Sequence, residues 1–285
     1  MKSVEKIIND IEGLRPIPYT YNKIIEMTKN PDSSINELVD IITYDQGATA
    51  NILRACNSSY FGLSRKITSI KHAITYMGLD RLVNLIIVDS AASNFRRGQA
   101  GYDLTEGELW RYSVFSALIA QSLAEKNQQK NISYIFTSAL LKDIGKVILH
   151  TYVNDSFNEI IFMVKEKGLT FIEAEKEVIG INHAELGAKV AAKWNFSPNM
   201  VNIIKNHHFP ELAPPDDLSI PIVYLADSIC MMMGIGVGSD GLAYRYHQEV
   251  MDKLHFSNID VQKTIADSLE KLKDVEQLVN STGGN

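Results

Sequence analysis

Two carboxylates and three imidazoles stand out in the second half of the chain: Asp143, His183, His207, His208 and Asp227. Imidazole together with carboxylate suits Zn, Mn or Fe, and helices that project such side chains inward are how helical proteins build metal centres. A divalent ion held in that way lowers the pKa of a bound water and can drive hydrolysis of a phosphate ester. The separations match no compact zinc signature, so each residue also has a plainer reading as a core or surface histidine or a hydrogen-bonded aspartate. Lys142 sits beside Asp143 in "ALLKDIGKVIL". A protonated amine has three donors and no lone pair, so it cannot ligate a metal. It repels a divalent cation, yet it can neutralise Asp143 and Asp227 as a metal would, and two buried carboxylates without a cation are costly. Two placements follow: an ammonium that stands in for the metal, or a side chain that snorkels to water from a helix end. Neighbouring helical residues diverge by about 100°, so His207 and His208 are not both expected to face one ion. A residual site would then draw on Asp143, His183, one of those two histidines and Asp227.

The elements that must position these residues read as helices. Nearly every long segment repeats apolar residues at three and four, and capping signals punctuate the joins. Ser34 with Glu37, Thr105 with Glu108 and Thr170 with Glu173 each have the spacing of a capping box. Ser69 before "IKHAITYM" and Gly78 after it mark a start and a left-handed stop. Ser197-Pro198 opens "NMVNIIKNHH" as a cap followed by proline at the first helical position. No run alternates apolar and polar residues convincingly, and the predicted fold class is all-α. The glycine-containing stretch "ASNFRRGQAGYDLT" is the best boundary, giving a smaller helical subdomain over 1–95 and a longer helical array over 96–285. In the tail, Ile259, Ile265, Leu269, Leu272, Val275 and Leu278 fall on one stripe, predicted to dock on the body, with a homodimer contact as the alternative.

Composition narrows the function classes. The 285 residues suffice for one large domain or two modest ones, with 45% hydrophobic and 22% charged residues. A net charge of −6 and a pI near 5.7 argue against a nucleic-acid partner, and Arg96-Arg97 reads as a solvated loop. Cys56 and Cys230 can build neither a disulfide framework nor a zinc site, and read as buried thiols of a cytoplasmic protein. The N-terminus carries acids throughout and is not a secretory signal. The most apolar tract, "IPIVYLADSICMMMGIGVG", is broken by Asp227 and glycines and is too short and polar to span a bilayer, so no membrane partner is expected.

The ordered segments "LWRYS", "LLKDIG", "INHAELG", "NHH" and "YLADS" resemble the motifs of the HD superfamily, particularly its HD-GYP branch. That resemblance implies a helical fold with a one- or two-metal centre that activates water to cleave phosphate esters. On it, the first metal-binding histidine falls on Tyr112 and the histidine of the His-Asp pair on Lys142. Asp143, His183, His207, His208 and Asp227 agree with the remaining ligand positions. The DG and GYP elements expected after the double histidine are missing, because the chain continues "FPELAPPDDL". The first half carries "LRPIPYTYNKIIEM", "SSINELVDIITYDQGATANILRACNSSYFG" and "ITSIKHAITYMGLDRLVNLI", and this series is similar to the HDOD domain, the HD-related output domain of bacterial signalling proteins. The matching positions include Pro16, Pro18, Asp45, Leu53, Asn57, Ser58, Phe61, Gly62, Ile70, Ala73, Ile74 and Gly78, with Gln46 where the family usually has proline. The likeness covers roughly residues 14 to 230.

The expectation is therefore a non-catalytic regulatory module of bacterial signal transduction, with no catalytic residue and no resident cofactor, meeting a signalling-protein partner. Asp143, His183, His207, His208 and Asp227 are its vestigial metal positions; Lys142, Tyr112, Tyr60 and Phe61 are its candidate binding positions. Tyr60 and Phe61 can close a helix end as an apolar plug or receive a partner helix. The runner-up is a phosphohydrolase acting on a nucleotide or cyclic dinucleotide through one divalent metal (Fe, Mn or Zn). A third option is a sensor that binds a phosphorylated ligand without cleaving it, with Lys142 and His207 on the anion.

Overall fold

The structure is a computed structural model. It describes residues 4–13, 34–44, 52–53, 67–79, 97–129, 132–194, 196–236, 238–239 and 248–282, with Met27, Thr49, Cys56, Leu82, Asn84, Phe95 and Gly241; the side chains of Tyr44, Ser133 and 274–282 lie outside this set. Among the described residues the regular elements are helical, the one extended pairing being an isolated bridge between Gln99 and Leu104. No described helix is long and apolar enough to cross a membrane. The chain divides into two compact units, one of Met1–Arg15 with Ser93–Ser268 and one of Pro16–Ala92 with Leu269–Asn285.

In the second of these units, helices α2 (Ile35–Tyr44) and α3 (Ile70–Met77) pack together, burying Leu38 and Ile42 of one and Ile70, Ala73 and Met77 of the other. Ser69 accepts the amide of His72, as the sequence predicts, while Gly78 closes α3 at φ 78° and ψ 159°, a positive-φ stop outside the left-handed helical conformation expected for it. Ile52 is buried, whereas Pro16, Pro18, Asp45, Asn57, Ser58, Tyr60, Phe61 and Gly62 lie outside the described residues.

The first unit opens with α1 (Val4–Asn9) and is built around α4 (Glu108–Lys126) and α11 (Ser219–Met233). Every residue of α4 from Tyr112 to Ala120 is buried, as is every residue of α11 from Ile220 to Cys230. A helix apolar all round belongs in a core rather than at a surface. These two pack on each other and on α5 (Ile132–Leu141). The unit also holds α6 (Lys146–Asp155), α7 (Phe157–Lys167), α8 (Phe171–Ile179), α9 (His183–Lys193), α10 (Pro198–Asn206), α12 (Gln248–Lys253) and the start of α13 (Asn258–Thr282), whose residues from Leu269 on belong to the other unit.

Local chemistry fixes the helix starts. Thr170 and Glu173 form the full reciprocal capping box at α8, and Ser197 accepts the Met200 amide with Pro198 in the first turn of α10. Thr105 differs from the expectation. Glu108 Oε2 accepts the Thr105 amide at 2.6 Å, but Gly107, at φ 83°, is the cap, so α4 begins at Glu108. On α13 the buried line runs through Thr264, Ser268 and Leu272, while Ile259 of the expected stripe is 64% exposed.

Candidate functional site

The chemistry-bearing side chains of the first unit converge from α4, α8, α9, α11, the turn between α5 and α6 with the start of α6, and the turn after α10. Lys142 and Asp143 occupy the tight turn between α5 and α6, held by Ile144 donating to the Leu141 carbonyl and Lys146 to that of Asp143. Gly145 sets how close that turn comes to α9. A β-carbon there would lie 2.0 Å from the His183 carbonyl oxygen and 2.8 Å from the Gly187 nitrogen, so only glycine admits the approach. That contact puts the start of α9, and His183 with it, beside Asp143. Asn182 caps α9 by accepting the Glu185 amide.

Lys142 does not snorkel. Its side chain is 0% exposed, and its ammonium bonds Asp143 Oδ2 and, at 2.8 Å, Asp227 Oδ1. Tyr112 donates its hydroxyl to the same Asp227 Oδ1 at 2.6 Å, and the Lys142 ammonium lies 4.4 Å from the centre of the Tyr112 ring. Lys146, one turn along, reaches Asp143 Oδ1 at 2.8 Å. Burial by itself would lower the Lys142 pKa, but Asp143 and Asp227 outweigh it and hold the ammonium above its ordinary value. The reverse holds for the acids: burial favours their neutral forms, yet Lys142, with Lys146 for Asp143, keeps both carboxyls below the usual range. The cluster is a charge-compensated cage with the ammonium at its centre.

The imidazoles form a second group against the cage. His183 Nδ1 faces Glu175 Oε2 at 2.8 Å, and the same oxygen accepts the His183 amide at 3.0 Å. Tyr102 donates to Glu175 Oε1 at 2.5 Å. An ionised carboxylate only accepts, so Nδ1 carries the proton, and a neutral His183 keeps its lone pair on Nε2. The Nε2 of His208, 3.0 Å away, then donates to it. His207 turns Nδ1 to the Ile204 carbonyl at 2.7 Å, which leaves its own Nε2 buried without a hydrogen-bond partner. Asp143 Oδ1 lies 3.6 Å from His183 Nε2 and 3.9 Å from His207 Nε2. Burial pulls His207 down to about 4, and burial with two imidazole neighbours takes His208 well below the ordinary histidine value.

The expected divergence of His207 and His208 fails. Helix α10 ends at Asn206, both histidines belong to the turn that follows, and their ring centres are 4.1 Å apart. One ligand atom from each of His183, His207 and His208 lies within 4.8 Å of the others. Asp143, His183, His207, His208 and Asp227 are thus brought together, with Tyr112 and Lys142 among them; Tyr60 and Phe61 fall outside the described residues. Sequence reasoning missed Glu175, Lys146 and Tyr102. A signal existed for two of them: Glu175 is a lone charge among Phe171, Ile172, Ala174 and Ile179 on the buried face of α8, and Lys146 stands three residues after Asp143.

The donor set does not fit an HD-type paired-metal centre. Its two carboxylates are bonded to ammoniums, and the two positions that differ from that pattern supply a phenol and a cation instead of imidazoles. Among the described residues, the three histidines are the group with the spacing of metal ligands.

Residues 14–210 match the HDOD domain family. The chain spans 41% of the length of one curated relative it matches and 34% of another. It is similar to the crystal structure of an HDOD domain protein from Geobacter sulfurreducens, at 26% identity and a TM-score of 0.68, over 98% of this chain and 96% of that one. A Shewanella amazonensis SB2B protein provisionally named a phosphohydrolase shares the fold at 21% identity and a TM-score of 0.68, over 95% of this chain and 97% of that one. So does a Marinobacter aquaeolei VT8 protein provisionally named a signal transduction protein, at 19% identity and a TM-score of 0.74, over 95% of this chain and 60% of that one. With its all-α fold, its motif order and a family match over most of its length, this chain belongs to the HDOD domain family.

Proposed function

We propose that this chain is a non-catalytic regulatory module of signal transduction that works through protein contacts. The observation that carries the reading is the buried Lys142 ammonium, bonded to both Asp143 and Asp227. A hydrolase of the HD type needs electron-pair donors there, to hold an ion that activates water and steadies charge on the phosphate. Here the position is filled by a group that can only donate protons. The name of the Marinobacter neighbour is in keeping with a signalling role, although its likeness is one of fold. A sensor that grips a phosphate through Lys142 is a weaker reading, because the anion would have to displace two buried carboxylates.

The second reading, a metal-dependent phosphohydrolase, is favoured by one feature, the convergence of three imidazoles. The two readings part in a turnover assay. The full chain is incubated with bis(p-nitrophenyl) phosphate and with a cyclic dinucleotide, in separate reactions with Mn²⁺, Fe²⁺ and Mg²⁺. The expected result is no release above the buffer control. Sustained turnover that scales with protein and disappears in His183→Ala would overturn the proposal.

A further inference from the structure

Helix α7 has the composition of an interior helix and the position of a surface one. Phe157, Ile160, Ile161, Phe162, Met163 and Val164 make up the larger part of its 11 residues, yet Ile160 alone of these is fully buried and Phe162 is 54% exposed. Its main packing partners are α8 and, less extensively, α6. A helix with apolar residues all round its axis belongs in a core, as α4 and α11 do in this unit. One exposed phenylalanine by itself is ordinary. Here it stands between Ile161 and Met163, which are also only partly covered, and the three together form an unpartnered face.

The charges on that face say what covers it. Asn158, Glu159, Lys165 and Glu166 lie within about 60° of Phe162 around the helix axis, with Ile161 and Met163 about 100° to either side. Glu159 and Lys165 stand three residues before and after Phe162, about 4.5 Å along the axis in each direction. Neither has an opposite charge three or four residues away on its own helix. The pattern is its own complement under a two-fold axis through Phe162. Two copies of α7 laid antiparallel bring Phe162 to Phe162, Ile161 to Met163 and Asn158 to Glu166, and set Glu159 of each copy opposite Lys165 of the other. A parallel arrangement instead sets glutamate on glutamate and lysine on lysine. We infer that the outer face of α7 is a self-association surface whose occupant is α7 of a second copy of this chain, packed antiparallel in an isologous contact. A helix about 16 Å long covers well under the roughly 800 Å² per partner of a standard stable interface, so the dimer is transient, with a Kd of about 10–100 μM. This goes beyond the non-catalytic reading and does not depend on it.

Sedimentation equilibrium of the full chain over about 5–500 μM reads the association directly. Glu159, Phe162 and Lys165 are all exposed, so their variants should fold, which circular dichroism and the urea midpoint verify. Phe162→Ser, Glu159→Lys and Lys165→Glu should each weaken the dimer at least about tenfold. The decisive arm is a mixture of the two charge variants. A Glu159→Lys chain carries lysine at both positions and a Lys165→Glu chain carries glutamate at both, so each repels its own kind and complements the other. Mixed in equal amounts, they should form a heterodimer with a Kd within about threefold of wild type. A role of these residues in helix stability alone would shift the urea midpoint without any recovery on mixing. A wild-type chain still monomeric at about 500 μM overturns the inference. So does a dimer indifferent to Phe162→Ser, or a mixture that associates no better than either charge variant alone.

Discussion

Replacing Lys142 by methionine keeps the length of the side chain and removes its charge. In the native cage Asp143 has two ammonium partners and Asp227 has one. After the change Lys146 still neutralises Asp143, so the uncompensated charge is on Asp227, with the Tyr112 hydroxyl as its remaining strong donor among the bonds described above. Removing one partner of a buried ion pair costs about 3–5 kcal/mol, most of it the penalty of the charge left behind. In a unit of this size that corresponds to a fall in Tm of about 6–20 °C. Adding Asp227→Asn removes the orphaned charge while keeping an acceptor for Tyr112, so the double variant should recover at least about 2 kcal/mol of the loss. Lys126→Met, which breaks the solvent-facing pair with Asp260, is the control and should cost less than about 1 kcal/mol. The assay is equilibrium urea unfolding in the presence of chelator, so that bound metal does not contribute. A Lys142→Met variant no less stable than Lys126→Met, or a double variant no better than the single one, would refute the compensated cage.

Two further outcomes test its surroundings. His207 has a folded-state pKa of about 4 against an unfolded value near 6.5, because burial favours the neutral ring. A depressed value means that the unfolded chain takes up the proton first, so this contribution is whole above pH 6.5 and is lost as the pH falls toward 4. The loss amounts to about 3 kcal/mol; a flat stability profile over that window in the metal-free chain would contradict it. Gly145→Ala puts a methyl group 2.0 Å from the His183 carbonyl, against backbone on both sides, and should cost about 3 kcal/mol or more in urea unfolding. An alanine variant as stable as wild type would mean that α9 can move away freely.

Much of this arrangement was legible in the sequence because it lies in contiguous motifs. "LLKDIG" placed a cation next to an acid, "INHAELG" and "NHH" supplied the rings, and the 3.6-residue repeat supplied the helices that carry them. What escaped depends on distances across the fold. Glu175 meets His183 because α8 turns back through Gly180, at φ 93°, and Asn182 into α9, and the charge of Glu175 alone does not reveal that turn. His207 and His208 were assigned to a helix that stops one residue earlier, so the 100° rule was applied to residues outside its range. The stripe on the final helix was displaced for a different reason. Its buried line includes Thr264 and Ser268, which a search for apolar residues alone passes over.

A cation carried on the chain has a consequence that an exchangeable ion does not. Lys142 cannot be lost to dilution, competed away by another metal or removed by a chelator, so the cage keeps its charge balance whatever ions surround it. The same tether makes the arrangement hard to reverse by single steps. Losing the lysine first strands a buried charge, and gaining ligands first sets them against a resident positive charge. A lineage that acquires such a lysine has passed through a ratchet, and its route back to a metal-bearing carboxylate site crosses a less stable protein.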